Sequence, residues 1–172
     1  MATAVMGLGA LLRGNEDPKD SAEGRRRGKD AIKAFLKAIA SADMIALSDA
    51  VTADVIYEMP FSESGSTEIG KFRRYVGRAE VLAFWNGMSG SGIKSESPED
   101  VDLSITGDGS RVFIEQRGNM TMPDGKNYRN RYIFRFDIQE GRVSHVREYL
   151  NPIISAYAFE RPVANGILIE SV

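Results

Sequence analysis

The chain has 172 residues, which is enough for one domain with a buried core. Its formal net charge of −2 argues against nucleic acid as a partner, and the lack of cysteine excludes disulfides, thiol nucleophiles and thiolate metal sites. His145 is the sole histidine, so one chain cannot build a metal site from several imidazoles. Since the sequence also has no glycine-rich phosphate loop, we expect neither a metal nor an organic cofactor.

The chain begins with a segment that we place outside the main domain. Residues 1–12 are apolar but lack the preceding basic residues of a secretory signal, and no run approaches the ~20 apolar residues of a membrane helix. We therefore expect a cytoplasmic protein with no membrane partner. Residues 13–27 are rich in Gly, Pro and charge and are interpreted as a linker. Together residues 1–27 form an arm and linker that contacts the domain or a second subunit.

Three helices are predicted from the spacing of apolar residues. The first covers residues 29–42, where apolar side chains recur at three- and four-residue intervals. The second covers residues 43–51 and has Asp43 as its N-cap. The third covers residues 78–88 and carries Trp85 on its apolar side.

Strands are predicted from alternation. A strand over residues 54–61 puts Tyr57 and Met59 on one face and Glu58 on the other, where we expect Glu58 to face solvent. A short strand over residues 71–77 follows. Four antiparallel strands then occupy the last third of the chain, with Asn130, Tyr132 and Phe134 on one face. Helices near the start and antiparallel strands later predict an α+β fold.

Three stretches carry a resemblance to a known family: residues 75–85 (YVGRAEVLAFW), 113–122 (FIEQRGNMTM) and 125–153. The last pairs an Asn-aromatic strand with a closing Arg-Glu-aromatic-x-Asn-Pro strand. With the order of elements, they resemble the SnoaL-like branch of the cone-shaped fold shared by ketosteroid isomerase, scytalone dehydratase and nuclear transport factor two. Within that branch, the C-terminal third resembles the phenazine-biosynthesis A/B proteins.

The resemblance implies a curved antiparallel sheet packed on N-terminal helices and enclosing a pocket. It places residues 28–159 in a single domain and leaves residues 160–172 as a C-terminal tail. Members are commonly homodimers through the convex face of the sheet. Many catalyse cofactor-free proton transfer on apolar ring molecules, and others only bind them. The expected partners are therefore a small apolar molecule and a second copy of the chain.

Glu148 is the main catalytic candidate. It lies in the last predicted strand on the same face as Val146 and Leu150, where a carboxylate is costly unless it is paired or used. The phenazine A/B resemblance implies that it is the acid/base residue, and the alternative is an ion pair with an arginine that holds the sheet together. That family also uses a histidine near the third helix. None is present there, and His145 points to the opposite face, so the resemblance does not carry over the whole chemistry.

The other candidates come from the same alternation and from the third helix. Tyr57 is the best-placed hydroxyl, either as a catalytic donor to a substrate oxygen or as a core aromatic. Trp85 belongs either to the pocket wall or to the core. The substrate-binding candidates, which would orient the ligand or form the wall of an apolar pocket, are Met59, Trp85, Gln116, Asn130, Tyr132 and Phe134.

These features favour a cofactor-free isomerase, dehydratase or cyclase that acts on a small apolar, ring-containing or polyketide-like molecule. Two alternatives stay open. One is a non-catalytic small-molecule-binding or dimerisation module. The other is an epoxide hydrolase, which would need two carboxylates in the pocket. Asp102 and Asp137 are available, but nothing in the sequence places them there.

Overall fold

The computed structural model describes residues 20–61, 68 and 70–161, so the predicted arm at residues 1–12 and most of the predicted tail lie outside the described residues. The helices are α1 (Ala22–Ala40), α2 (Met44–Ala50), α3 (Arg78–Ser89) and α4 (Pro152–Ala158). The strands are β1 (Val51–Met59), β2 (Arg73–Val76), β3 (Lys94–Ser95), β4 (Glu99–Ile105), β5 (Arg111–Arg117), β6 (Met120–Thr121), β7 (Asn127–Tyr128), β8 (Arg131–Gln139) and β9 (Arg142–Leu150). None of the described helices is long and apolar enough to cross a membrane.

The main sheet is curved and has six strands in the order β2-β1-β9-β8-β5-β4. The strands β4, β5, β8 and β9 are antiparallel neighbours, as predicted, and β2 is antiparallel to β1. The pair β1–β9 is parallel, so the sheet is mixed. A second sheet, β3-β6-β7, consists of two-residue strands, which are too short for an alternation pattern to reveal.

The helices cover one face of the main sheet, which we call the inner face; the opposite one is the outer face. Phe35 of α1 and Leu47 of α2 are buried against this sheet. The ring of Phe35 meets Phe136 of β8 edge-on at 5.7 Å between centroids. Burying side chains of this size contributes roughly 1.5–3 kcal/mol each, so the inner face holds the main core and confirms the α+β fold.

Helix α1 begins at Ala22, seven residues before the predicted start at Lys29. The Ser21 hydroxyl caps it by accepting a hydrogen bond from the Gly24 amide at 3.0 Å. The helix rests on the turn between β4 and β5, because Gly24 and Gly28 bring its backbone against the backbone of Asp108 and Gly109. The linker prediction is therefore wrong for residues 22–27.

Helix α4 follows β9 directly and was not predicted. Asn151 caps it by accepting hydrogen bonds from the amides of Ile153 at 3.0 Å and Ile154 at 3.4 Å. Pro152 occupies the first turn, where its missing N–H costs nothing. The same two residues that end the strand therefore begin a helix.

Candidate functional site

Parallel pairing of β1 with β9 brings the two catalytic candidates together. Tyr57 is the register partner of Val146, and Glu148 lies two residues further along β9 on the same face. The Tyr57 hydroxyl donates a hydrogen bond to Glu148 Oε2 at 2.6 Å. Tyr57 is 1% exposed and Glu148 is 9% exposed, so the pair is removed from solvent.

The electrostatics of the pair assign the direction of this hydrogen bond. Burial raises the pKa of the Tyr57 phenol well above its ordinary value, and the negative charge of Glu148 and the hydrogen bond raise it further. Tyr57 therefore keeps its proton and acts as the donor. Donation to a carboxylate stabilises the anion, which is the form that a general base needs.

Strand alternation predicts the faces of β9 correctly. Glu148 lies on the inner face with Val146 and Leu150, and its partner across the sheet is Phe134 of β8. His145 lies on the outer face, where its partner is Asp137.

Glu148 stands between two apolar clusters. Phe134 packs against both of them: the main core, and a smaller cluster that contains Tyr132 and Leu150. The rings of Tyr132 and Phe134 stack at 5.4 Å between centroids. On the other side of the carboxylate, the Tyr57 ring meets Trp85 edge-on at 5.7 Å. The candidate base thus has aromatic and aliphatic side chains on two sides.

The remaining candidates lie in or near these clusters. Met59 is buried two residues beyond Tyr57, and Gln116 is the inner-face partner of Tyr132. Asn130 is fully buried, and its amide binds the chain itself: Nδ2 donates to the Asn151 carbonyl at 2.9 Å, and Oδ1 accepts from the Asn151 amide at 3.0 Å. These bonds join the start of β8 to α4. The predicted role of Asn130 in substrate binding stays a prediction.

Tyr128 belongs to this region and was missed from the sequence. Its hydroxyl accepts from Asn130 Nδ2 at 3.1 Å and also bonds with the hydroxyls of Tyr132 and Ser155. Burial raises the pKa of both Tyr128 and Tyr132, and the charge of Glu148 raises both further. Tyr128 alternates in phase with Asn130 and Tyr132, so the sequence could have placed it on the same face. It was missed because its strand, β7, has only two residues and shows no alternation pattern.

The prediction that Glu58 faces solvent is wrong. It points to the outer face, as alternation requires, yet it is only 5% exposed. Arg147 Nε donates to its Oε1 at 2.6 Å, His145 Nε2 lies 2.9 Å from the same oxygen, and Arg74 Nε lies 3.6 Å from Oε2. Strands β9 and β2 flank β1, so their long cationic side chains cover the carboxylate. Burial disfavours its anion, but the Arg147 hydrogen bond and the adjacent imidazole prevail and lower the pKa of the Glu58 carboxyl.

The two aspartates considered for epoxide hydrolysis do not lie beside Glu148. Asp137 is on the outer face and pairs with Arg111 at 2.7 Å and Arg135 at 2.8 Å. Asp102 is the register partner of Glu115, which also points outward. Neither position supplies a second inner-face carboxylate.

Comparison with known proteins gives a family match. The family model described as the SnoaL-like domain matches residues 32–146. No curated protein sequence matches the chain.

Solved structures show where this fold occurs. A candidate isomerase from Bacillus subtilis is 20% identical, with 81% of this chain and 97% of that chain covered and a TM-score of 0.67. A candidate polyketide cyclase from Pseudomonas putida KT2440 is 22% identical, with 72% and 91% covered and a TM-score of 0.57. An epoxide hydrolase from Mycobacterium tuberculosis is 20% identical, with 79% and 89% covered and a TM-score of 0.57. At these identities, the likeness establishes the fold alone.

Proposed function

The chain belongs to the SnoaL-like domain family, and from that premise we propose that it is a cofactor-free acid/base enzyme of the isomerase, dehydratase or cyclase type. Its substrate would be a small apolar, ring-containing or polyketide-like molecule. The observation that carries the proposal is the buried Tyr57–Glu148 hydrogen bond between two apolar clusters. Relatives of the same fold include a candidate isomerase and a candidate polyketide cyclase, which fits this reaction class.

In the proposed mechanism, Glu148 moves the proton. Its carboxylate takes a proton from the carbon next to a substrate carbonyl and later returns that proton to another position of the same molecule. Tyr57 is a positioning residue in this scheme, because its hydrogen bond to Oε2 fixes the orientation of the carboxylate. The surrounding aromatic side chains exclude water and hold the ring of the substrate.

The proposal is tested with a probe that needs no knowledge of the natural substrate. The ketone 2-tetralone exchanges its α-hydrogens with D₂O, and NMR measures the rate. We expect the wild-type protein to accelerate the exchange and Glu148→Gln to lose roughly 10²–10⁴ of the acceleration, because glutamine cannot accept the proton. Binding of 2-tetralone should change little, since glutamine keeps the shape of the side chain.

Glu23→Gln is the matched control, because Glu23 is exposed on α1 and pairs only locally with Arg27 at 2.8 Å. This variant should keep the wild-type exchange rate. Exchange by the wild type at the buffer rate, or equal exchange by wild type and Glu148→Gln, would contradict the proposal. A loss of melting temperature in Glu148→Gln without loss of exchange would identify Glu148 as a structural residue.

The alternative of a non-catalytic binding module is favoured by one observation. The charge of Glu148 acts on the buried phenols of Tyr57, Tyr128 and Tyr132, and the raised pKa values of these three phenols keep them neutral. None of these three phenols is therefore ionised to act as a second base. In that case 2-tetralone should bind without accelerated exchange, and Glu148→Gln should alter neither property.

We also propose that two copies of the chain pair through the outer face. Four apolar or aromatic side chains lie on this face, and we call them the outer-face apolar patch: Phe61, Phe113, Ile133 and Tyr149. Ile133 is 47% exposed and Phe61 is 59% exposed, and Phe61 meets Tyr149 edge-on at 5.2 Å. Apolar side chains grouped in this way are typical of protein–protein contacts.

A further inference from the structure

Trp85 lies beside the Tyr57–Glu148 pair, and its indole N–H has no hydrogen-bond partner among the described residues. Its Nε1 atom is buried. The side chain as a whole keeps part of its surface exposed, so the indole stands at the edge of the core. A buried hydrogen-bond donor that has no acceptor destabilises the folded protein. Nearly all buried donors in proteins therefore have a partner. The unpaired N–H therefore requires an explanation.

The rings that contact Trp85 do not supply the acceptor. Phe84, at 5.1 Å between centroids, has no polar atom. Tyr57, at 5.7 Å, directs its hydroxyl to Glu148. Within the described part of the chain, the indole N–H thus has no acceptor, and it lies one aromatic ring away from the candidate base.

We infer that the Trp85 N–H binds the carbonyl oxygen of a neutral ring ketone and selects such ligands over hydrocarbons. The inference rests on the proposed function, which puts a ligand next to Glu148. When the base removes the proton, the C–H bond breaks and its electron pair forms a carbon–carbon double bond. The carbonyl electron pair moves onto oxygen, giving an enolate. A fixed donor at that oxygen stabilises its charge, and Trp85 provides one while Tyr57 remains bonded to Glu148.

The sequence makes this contact directly observable. Trp85 is the single tryptophan, so the one indole N–H signal in a ¹H–¹⁵N spectrum belongs to it. The probes are 2-tetralone and tetralin, which differ by the carbonyl group. We expect 2-tetralone to move the indole proton downfield and to slow its exchange with water. Tetralin should bind without the downfield shift, because it has no acceptor.

The matched variants separate the N–H from the aromatic wall. Trp85→Phe keeps a ring and removes the donor, so its affinity for 2-tetralone should fall about 3- to 10-fold, as expected for one neutral hydrogen bond, and its affinity for tetralin should change less than about 2-fold. Phe84→Leu trims the neighbouring wall and should weaken both ligands to the same degree.

Three results would overturn the inference: an unmoved indole signal when 2-tetralone binds, an unchanged preference for 2-tetralone in Trp85→Phe, or no binding of 2-tetralone to the wild-type protein. The NMR arm uses the wild-type chain and does not depend on whether a variant folds. Failure of the proposed function has a different signature, namely equal α-hydrogen exchange by the wild type and Glu148→Gln.

Discussion

Two buried glutamates on opposite faces of one sheet have different surroundings. Glu148 on the inner face meets a neutral tyrosine hydroxyl and aromatic rings. Glu58 on the outer face meets Arg147, Arg74 and the imidazole of His145. Because Glu58 is neutralised by cations, we assign it to stability. Glu148 accepts a hydrogen bond from the neutral Tyr57 hydroxyl, and a carboxylate held in this way suits proton transfer.

Glu58→Gln should lower the free energy of unfolding at pH 7 by about 1–3 kcal/mol. Breaking a buried ion pair costs roughly 3–5 kcal/mol, and the effect is smaller here because Arg147 and His145 are partly exposed and glutamine retains one acceptor oxygen. Urea unfolding measures it. Glu23→Gln, in the exposed pair with Arg27, should change stability by less than about 0.5 kcal/mol.

The pH dependence of the same variant follows from the lowered pKa of Glu58. A carboxyl with a lowered folded-state pKa stabilises the protein above its unfolded-state pKa, near ~4.3 for glutamate, and loses that contribution as the pH falls through the folded-state value. The difference in stability between wild type and Glu58→Gln should therefore be full at pH 7 and shrink below about pH 4. A difference that stays constant down to pH 3 would show that the charge of Glu58 does not matter.

Tyr57→Phe should slow the α-hydrogen exchange of 2-tetralone by roughly 10- to 10³-fold, mainly through kcat, since the carboxylate loses the donor that orients it. The acidic limb of the pH–rate profile should also move to higher pH, because the anion loses a stabilising hydrogen bond. Tyr157→Phe, on the exposed side of α4, serves as the control and should leave the profile in place. A slower rate with an unmoved profile would instead indicate that Tyr57 acts directly on the substrate.

At the scale of the elements, α1 is held against the turn between β4 and β5 by close backbone contact. A Cβ on Gly28 would lie 2.6 Å from the Gly109 carbonyl oxygen, which cannot move without shifting the turn. In α3, a Cβ on Gly87 would meet no atom of the described residues within 4 Å. The two glycines therefore stand in helices for different reasons.

Gly28→Ala should destabilise the protein by about 1–2 kcal/mol, because overpacking costs roughly 1–3 kcal/mol and the higher helix propensity of alanine returns at most about 1. Gly87→Ala should instead stabilise it by up to about 1 kcal/mol. The urea unfolding midpoints of the two variants, compared with that of the wild type, measure these changes in stability. Stabilisation by both substitutions would show that α1 can move away from the turn.

The sequence predicted some helices and strands better than others. Apolar spacing located most of α1, all of α2, α3 except its last residue, and the main strands, because each buries one face. The first turns of α1 were taken for a linker, since Gly24 and Gly28 are poor helix formers and only the turn they touch requires them. Helix α4 was missed because the Asn-Pro pair at its start also ends a strand, and Ile153 is 53% exposed.

At the scale of the whole molecule, the site depends on pairing between distant strands. Alternation could place Tyr57 and Glu148 each on an inner face, but their hydrogen bond joins residues 91 positions apart and needs the parallel register of β1 with β9. The sequence pattern contained no signal for that register. The burial of Glu58 follows from the same pairing, since Arg147 is its register partner on β9. The sheet face of each side chain was therefore predictable from the sequence. Its partner on a neighbouring strand was not.

The same sheet presents the outer-face apolar patch to solvent, and its central residue tests the proposed dimer. Ile133 lies between Glu115 and Tyr149 in register and is 47% exposed. In a dimer through this face, Ile133→Arg would bury a bulky charged side chain close to Arg131 and Arg135, and this desolvation is costly enough to separate the chains. In a monomer it would simply add a surface charge.

Light scattering at micromolar concentration should give the wild type the mass of two chains and Ile133→Arg the mass of one 18.9 kDa chain. Ile45→Arg is the control, because Ile45 is 80% exposed on α2, a helix that packs on the inner side. It should remain a dimer. A wild-type mass of one chain would refute the dimer. If Ile133→Arg stays dimeric, the dimer contact lies on another surface. If Ile133→Arg separates the two chains and Ile45→Arg does not, the dimer contact lies on the outer face. Because the helices and the Tyr57–Glu148 pair lie on the inner face, dimer formation and the proposed reaction would then use opposite faces of one sheet.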